Sequence, residues 1–180
     1  VRYTCDECDG LLEVRYADLP TFDDFEGHGV WRYADALPFE EGVSIQEGST
    51  PLYEVPRLED EIGVEALRIK HEGMNPTGSF KDRGMTVGVR VAKELGVGRL
   101  ACASTGNTSA SLALYCSVTR LMKAIIFVGS GKIAYGKLSQ ALDFGALTVQ
   151  IAGDFDDAMA RVQEVSRELG IYLVNSVNPF

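Results

Sequence analysis

An open, doubly wound parallel α/β sheet is the fold the sequence predicts, and two observations predict it. Past Gly48-Ser49-Thr50-Pro51-Leu52, short apolar, β-branched runs alternate with longer segments of helical periodicity. The short runs are apolar along most of their length, as suits strands covered on both faces, and such alternation calls for right-handed crossovers. Before that point, to about Gln46, turn signals (Gly27-His28-Gly29, Leu37-Pro38, Glu41-Gly42) and scattered aromatics show no sustained period, which predicts an irregular arm.

Strands are expected at Ala66–Lys70, Arg99–Ala103, Lys123–Val128, Ala146–Ile151 and Ile171–Val174. Helices are expected between them at Lys81–Leu95, Asn107–Thr119, Tyr135–Phe144 and Phe155–Leu169. The last shows its period best, with Ala158, Val162, Val165 and Leu169 on one face, Asp154 as its N-cap and Gly170 as its stop. Ligands of doubly wound sheets gather beyond the carboxyl ends of the strands, where loops feed helix N-termini.

Composition bounds the function classes. The chain of 180 residues is 46% hydrophobic and 24% charged, enough for a core and without the bias of a disordered chain. A formal net charge of −9 repels a phosphate backbone, so nucleic acid is not an expected partner. The sequence holds no run of about 18 apolar residues, and Val1-Arg2-Tyr3-Thr4-Cys5 lacks the apolar stretch of a secretory signal. No membrane partner and a cytoplasmic location are therefore expected. The beginning without Met and the ending at Asn178-Pro179-Phe180 are read as those of a fragment.

Cys5-Asp6-Glu7-Cys8 has the spacing of half a zinc knuckle, but neither His28 nor a second cysteine pair stands at a usual ligand spacing, so no metal is assigned. Cys102 and Cys116, each inside an apolar segment, read as small buried residues. His28 and His71 have no partner at metal or triad spacing and receive no role.

The chemistry-bearing residues fall where the fold predicts ligands. Asn75-Pro76-Thr77-Gly78-Ser79-Phe80-Lys81-Asp82-Arg83-Gly84 packs turn formers before a helical run, so Lys81 lands at the helix N-terminus. The positive end of the helix dipole disfavours an ammonium ion there and favours the neutral amine, the form that condenses with an aldehyde cofactor. A surface lysine paired with Asp82 or Glu72 is the alternative. Ser104-Thr105-Gly106-Asn107-Thr108-Ser109 follows a strand and opens the next helix, offering backbone donors and hydroxyls to a carboxylate or phosphate; an ordinary Ser/Thr-rich cap is its alternative. Lys132 and Lys137 add positive charge beside the crevice, or are solvated lysines flanking a helix.

Taken together, Gly48–Leu52, Asn75–Gly84, Ser104–Ser111 and Gly131-Lys132-Ile133-Ala134-Tyr135-Gly136-Lys137-Leu138, in this order and spacing, resemble the threonine synthases, fold type II pyridoxal-phosphate enzymes. The resemblance runs from about Tyr3 to Phe180, and Ser-Phe-Lys-Asp-Arg-Gly followed by Ser-Thr-Gly-Asn-Thr-Ser is its most specific part. It implies pyridoxal 5'-phosphate as cofactor, held by Lys81 through a Schiff base with Phe80 beside it, and Asn107 hydrogen-bonded to the cofactor's 3-oxygen. It implies a substrate site of Ser104, Thr105, Asn107 and Thr108, with Thr108 placing the water or the departing phosphate, and with Asn175 and Ser176 on the substrate phosphate. The implied substrate is O-phospho-L-homoserine, the implied products are L-threonine and phosphate, and the full-length protein is expected to be a homo-oligomer.

Three segments are implied by the resemblance. These are an arm over 1–47 with a zinc-ribbon-like remnant at Cys5 and Cys8, parts of a large cofactor domain over 48–83 and 175–180, and a smaller α/β domain over 84–174. Three parts of the family pattern lie past Phe180: the arginine after Asn-Pro-Phe, the glycine-rich loop for the cofactor phosphate, and the hydroxyl facing the pyridine nitrogen. Weak or no activity is accordingly expected of the chain alone. Serine/threonine dehydratases and cysteine synthases share the cofactor but favour Ala-Gly-Asn-His and Ser-Gly-Asn-Thr-Gly where this chain has Thr-Gly-Asn-Thr-Ser. A truncated homologue serving as a binding module is the alternative outside enzymes.

Overall fold

A computed structural model describes residues 4–16, 18, 20–120, 122–130, 134–175 and 178. Its main sheet has four parallel strands in the order β5-β4-β3-β6, where β3 is Arg99–Ala103, β4 Lys123–Gly129, β5 Leu147–Ile151 and β6 Tyr172–Leu173. Helices α2 (Lys81–Glu94), α3 (Asn107–Thr119), α4 (Tyr135–Asp143) and α5 (Phe155–Leu169) connect or precede these strands. The chain runs from β3 outward to β5, then returns through α5 to the far side of β3. That reversal makes the carboxyl ends of β3 and β6 the switch point, where such sheets open a crevice.

Strand alternation builds two cores. Leu100, Cys102, Ile126 and Val128 face Met85, Val89, Leu112, Tyr115 and Ala141 from α2, α3 and α4. Ala101, Ala103 and Phe127 face Ala158 and Val162 of α5 on the other side. The sheet is thus covered on both faces, as its apolar runs demand. Burial pushes both core thiols up, Cys116 to about 12 and Cys102 further, which keeps them unreactive.

The expected helices agree with the observed ones to within one residue at either end. Asp154 caps α5 by accepting from the Asp156 and Asp157 amides at 2.9 and 3.2 Å, and Asp157 returns the bond to the Asp154 amide. Gly170 ends that helix at φ 62°. The apolar stripe closes earlier than expected: Ser166 is buried, whereas Leu169, in the last turn, is 60% exposed.

One expected strand is misplaced. Ala66–Lys70 does not enter the parallel sheet, because Ala66 sits at φ 55° and the strand begins at Arg68. It pairs antiparallel with Leu52–Glu54 in a separate two-stranded sheet, β1 and β2, exposed along its length. Between them the short helix α1 (Pro56–Ile62) escaped notice, although Pro56 at its first position and Gly63 at φ 70° after its end are ordinary helix signals. Too short to show a period, it left only its punctuation in the sequence.

The irregular arm is observed as two 3₁₀ segments, Phe22–Asp24 and Trp31–Ala36, joined by loops. It is fastened to α2: Trp31 Nε1 donates to Thr86 Oγ1 at 2.8 Å, and that hydroxyl donates to the Val43 carbonyl at 3.1 Å. The arm then enters the core through Glu47, fully buried, whose Oε2 accepts from the Ile45 amide at 2.9 Å and the Tyr115 hydroxyl at 2.6 Å. Its Oε1 is buried without a hydrogen-bond partner. Removing the hydroxyl would leave this carboxylate with one donor, so Tyr115→Phe is expected to cost about 1–3 kcal/mol of stability. Urea unfolding reads this as a lower midpoint, and an unchanged midpoint would show that the bond contributes nothing.

Candidate functional site

The loop before α2 is built to hold its first turn in one place. Asp82, fully buried, accepts from the Thr77 amide and the Thr77 hydroxyl, both at 2.7 Å, and from the Ser111 hydroxyl at 2.6 Å. The last bond joins the start of α2 to the second turn of α3. Asn107 lies four residues before Ser111 and so on the same face, one turn nearer the crevice. Lys81 and Asn107 are thereby brought to the same end of the sheet, at the opening turns of two packed helices.

Lys81 is half-buried as the first residue of α2, its amide donating to Ser79 Oγ at 3.1 Å and its Nζ lying 5.0 Å from the centroid of the Phe80 ring. It forms no ion pair among the described residues. The alternative pairing with Asp82 or Glu72 is closed off, since Asp82 is saturated by hydroxyls and an amide while Glu72 binds Arg83. Phe80 is 54% exposed, an aromatic surface beside the amine.

Across from it, the Ser104–Ser109 turn is shaped mostly by itself. The Gly106 amide donates to Ser104 Oγ at 3.1 Å, the buried Ser109 hydroxyl donates to the Gly106 carbonyl at 2.7 Å, and the Ser104 amide pairs with the Phe127 carbonyl of β4 at 3.1 Å. The N-cap of α3 is Gly106, which has no side chain to cap the helix. Ser104, Thr105, Asn107 and Thr108 are half-buried around this helix N-terminus, where backbone N–H groups and the positive end of the dipole suit an anion.

Asn175 closes the switch point. Its Oδ1 accepts from the Ala103 amide at 2.9 Å and its Nδ2 donates to the Ala103 carbonyl at 3.1 Å, tying the end of β6 to the end of β3 just before Ser104. Both ends of its amide thus serve the backbone. Ser176 and Lys132 lie outside the described residues. Lys137, in the first turn of α4, donates to the Thr77 carbonyl at 2.6 Å.

Residues that sequence reasoning missed hold the floor of the site. Arg83 forms a fork on Glu72, Nε to Oε2 at 2.7 Å and Nη2 to Oε1 at 2.9 Å, with the two side chains 31% and 30% exposed. Thr50 donates to Glu72 Oε1, Asn75 Nδ2 donates to Oε2, and the Gly48 amide donates to Asn75 Oδ1. Lys70 Nζ donates to the Thr50 carbonyl. The blocks Gly48–Leu52, Asn75–Gly84, Ser104–Ser111 and the described part of Gly131–Leu138 are therefore in direct contact, through Glu72 and Asn75, through Asp82, and through Lys137. Their polar residue types were the available signal, but which of them paired required the fold.

At the other end of the arm, Cys5–Gly10 is a tight turn, with the Cys5 amide on the Gly10 carbonyl at 2.9 Å and the Asp9 amide on the Cys5 carbonyl at 3.0 Å. Hydrogen bonds from the Glu7 and Cys8 amides lower the Cys5 thiol from its ordinary value. No group of three or more His, Cys, Asp or Glu side chains arranged to hold a metal occurs among the described residues. No helix there is long and apolar enough to cross a membrane.

The Arg83 fork holds the Glu72 carboxyl down from its ordinary 4.5 to about 2. A lowered folded value means that the bond stabilises fully above the ordinary value and is lost as pH falls from about 4.5 toward 2. Glu72→Gln should flatten the fall in thermal midpoint across that window; a variant as acid-sensitive there as the parent would refute the role of Glu72.

Comparison with known proteins identifies the family. The family described as pyridoxal-phosphate dependent enzyme matches residues 43–180. The chain is 52% identical to a threonine synthase of Methanosarcina acetivorans and 51% identical to one of Methanocaldococcus jannaschii, over 100% and 99% of its length. It is 52% identical, over 83% of its length, to a threonine synthase of Bacillus sp.. It spans 46% of the length of each archaeal relative and 43% of the Bacillus one. Among solved structures, a threonine deaminase of Solanum lycopersicum superposes at TM-score 0.62 with 26% identity, over 73% of this chain and 37% of that one. A diaminopropionate ammonia lyase of Escherichia coli superposes at 0.65 with 17% identity, over 74% and 39%, a likeness of fold. With a parallel sheet of this order, a lysine opening α2 and the family match over most of its residues, the chain belongs to the pyridoxal-phosphate-dependent enzymes of fold type II.

Proposed function

We propose that, in a protein of its relatives' full length, this chain forms the front half of a threonine synthase that converts O-phospho-L-homoserine and water to L-threonine and phosphate. The observation that carries this reading is the Asp82–Ser111 bond, which joins the helix start bearing Lys81 to the helix that opens from the Ser-Thr-Gly-Asn-Thr-Ser turn. Fold alone does not choose the reaction, since a deaminase and an ammonia lyase share it; identity above 50% with threonine synthases over the whole chain does the choosing.

The residues present fit the cofactor. They offer an amine for an aldehyde carbon, an amide side chain for an acceptor oxygen, an exposed aromatic face beside the amine, and the amides of a helix N-terminus for an anion. When bound, pyridoxal phosphate supplies an electron sink conjugated with the substrate Cα. Lys81 would hold the cofactor through its aldehyde, and its Nζ would carry protons at the substrate Cα and Cβ. Asn107 would hold the cofactor ring by a side-chain hydrogen bond. Ser104, Thr105 and the α3 amides orient the substrate, and Thr108 places water for addition at Cβ as phosphate leaves Cγ. Ser176 binds the substrate phosphate, and Asn175 braces it through Ala103.

The same reading divides the chain into the arm over 1–47, cofactor-domain parts over 48–83 and 175–180, and a smaller domain over 84–174. It places the full-length protein in the cytoplasm as a homo-oligomer. Lys81→Ala in the full-length protein should abolish both phosphate release and the visible absorbance of lysine-bound cofactor, a loss of at least about 1,000-fold in turnover for a covalent group of this kind. Retained turnover would overturn the assignment, and Lys81→Arg, which keeps the charge without the nucleophile, should fail equally.

A further inference from the structure

We infer that Lys137 is a positioning residue for Lys81, acting from α4 through the backbone of Thr77; the inference rests on the proposed role of Lys81. Thr77 is only 2% exposed, and each of its polar groups is held. Its amide and hydroxyl go to the two oxygens of Asp82, and its carbonyl receives Lys137 Nζ at 2.6 Å. Gly78 follows at φ 74°, and a Cβ placed there would come 3.6 Å from the Lys137 nitrogen, so the lysine head lies over the Thr77–Gly78 peptide. Three residues further on is the cofactor lysine.

The two holds on Thr77 come from different elements. Asp82 belongs to the helix that Lys81 opens, and it binds α3 as well. Lys137 belongs to α4, whose Ala141 packs in the core on the sheet face it shares with α3. The Lys137 contact is the hydrogen bond through which α4 reaches the lysine-bearing loop among the described residues. Without it, the Thr77 carbonyl keeps no partner in this protected position, and a glycine at positive φ next to it gives the loop freedom to turn. A loop free to turn delivers the Lys81 amine to its target less often, which lowers the rate of bond making without touching substrate binding. A direct role for Lys137 on the substrate phosphate would do the reverse, raising KM.

Lys137→Met keeps the aliphatic stem and removes the donor, and Lys137→Arg restores a donor. In the full-length protein without cofactor, hydrogen exchange of the peptide covering Thr77–Lys81 should quicken about tenfold or more in Lys137→Met and return toward the parent rate in Lys137→Arg. With pyridoxal phosphate added, the visible absorbance should develop about tenfold more slowly in Lys137→Met, and kcat should fall while KM for O-phospho-L-homoserine stays within about twofold. Unchanged exchange, or a rise in KM alone, would overturn the inference. A parent protein that neither colours nor releases phosphate would instead overturn the activity on which it rests, and this is read before any variant is made.

Discussion

A carboxylate sealed from water has to find all its donors inside the protein, and Asp82 finds three of them on two other segments. The Thr77 amide and hydroxyl approach from the loop and the Ser111 hydroxyl from α3. Because no water can substitute for a missing donor at zero exposure, the loop, the first turn of α2 and the second turn of α3 are ordered together or not at all. Asp82 also sits in the first turn of α2, where the helix dipole favours a negative charge. Lys81 precedes it by one residue, so the place of the amine follows from the anchoring of its neighbour.

The same face of α3 repeats the device one turn later. Ser111 donates to Asp82, and Tyr115, four residues on, donates to Glu47. One helix face thus collects two buried carboxylates, one from the lysine helix and one from the N-terminal arm. Glu47 is followed by Gly48 at φ 90°, where a Cβ would lie 2.8 Å from the backbone of Gly29. The Gly29 amide donates to Ser49 Oγ and the Val30 amide to the Glu47 carbonyl, at 2.7 and 3.1 Å. This close backbone crossing leads directly into Thr50 and the Glu72–Arg83 fork. An arm with no period of its own is therefore fastened by specific polar contacts in addition to the packing of Phe39, Val43 and Ile45 on the core, whereas the sheet is ordered chiefly by apolar area.

That contrast explains what could be read without coordinates. The β3–β6 framework was legible because its strands are apolar along most of their length: a regular stripe marked Phe155–Leu169, whereas Asn107–Thr119, without such a stripe, was placed by its length between two strands. The position of Lys81 was legible because turn chemistry precedes it. The antiparallel pair β1–β2 was not, since Leu52, Tyr53 and Ile69 are exposed and their apolar character does not report burial in this chain. Nor were the roles of Glu72, Arg83, Asn75 and Glu47. A charged or amide side chain at such positions is equally at home in solvent, and only the partner 11, 27 or 68 residues away decides otherwise.

The division of labour around the crevice bears on how one fold serves several reactions. Contacts that place the catalytic elements run from side chains to backbone or between buried side chains: Asn175 on Ala103, Asp82 on Thr77, Lys137 on the Thr77 carbonyl. None of them depends on the chemistry of a substrate. In the proposed site the groups that meet a substrate are the first amides of α3 and the short side chains beside them, on a turn whose shape is held by Ser104 and Ser109. On that proposal, changing Asn107 or Thr108 alters recognition, while changing Asp82 removes the bonds that join the loop, α2 and α3. The ammonia lyase shares this fold at 17% identity, so the scaffold by itself does not decide the reaction, which belongs to the side chains set on it.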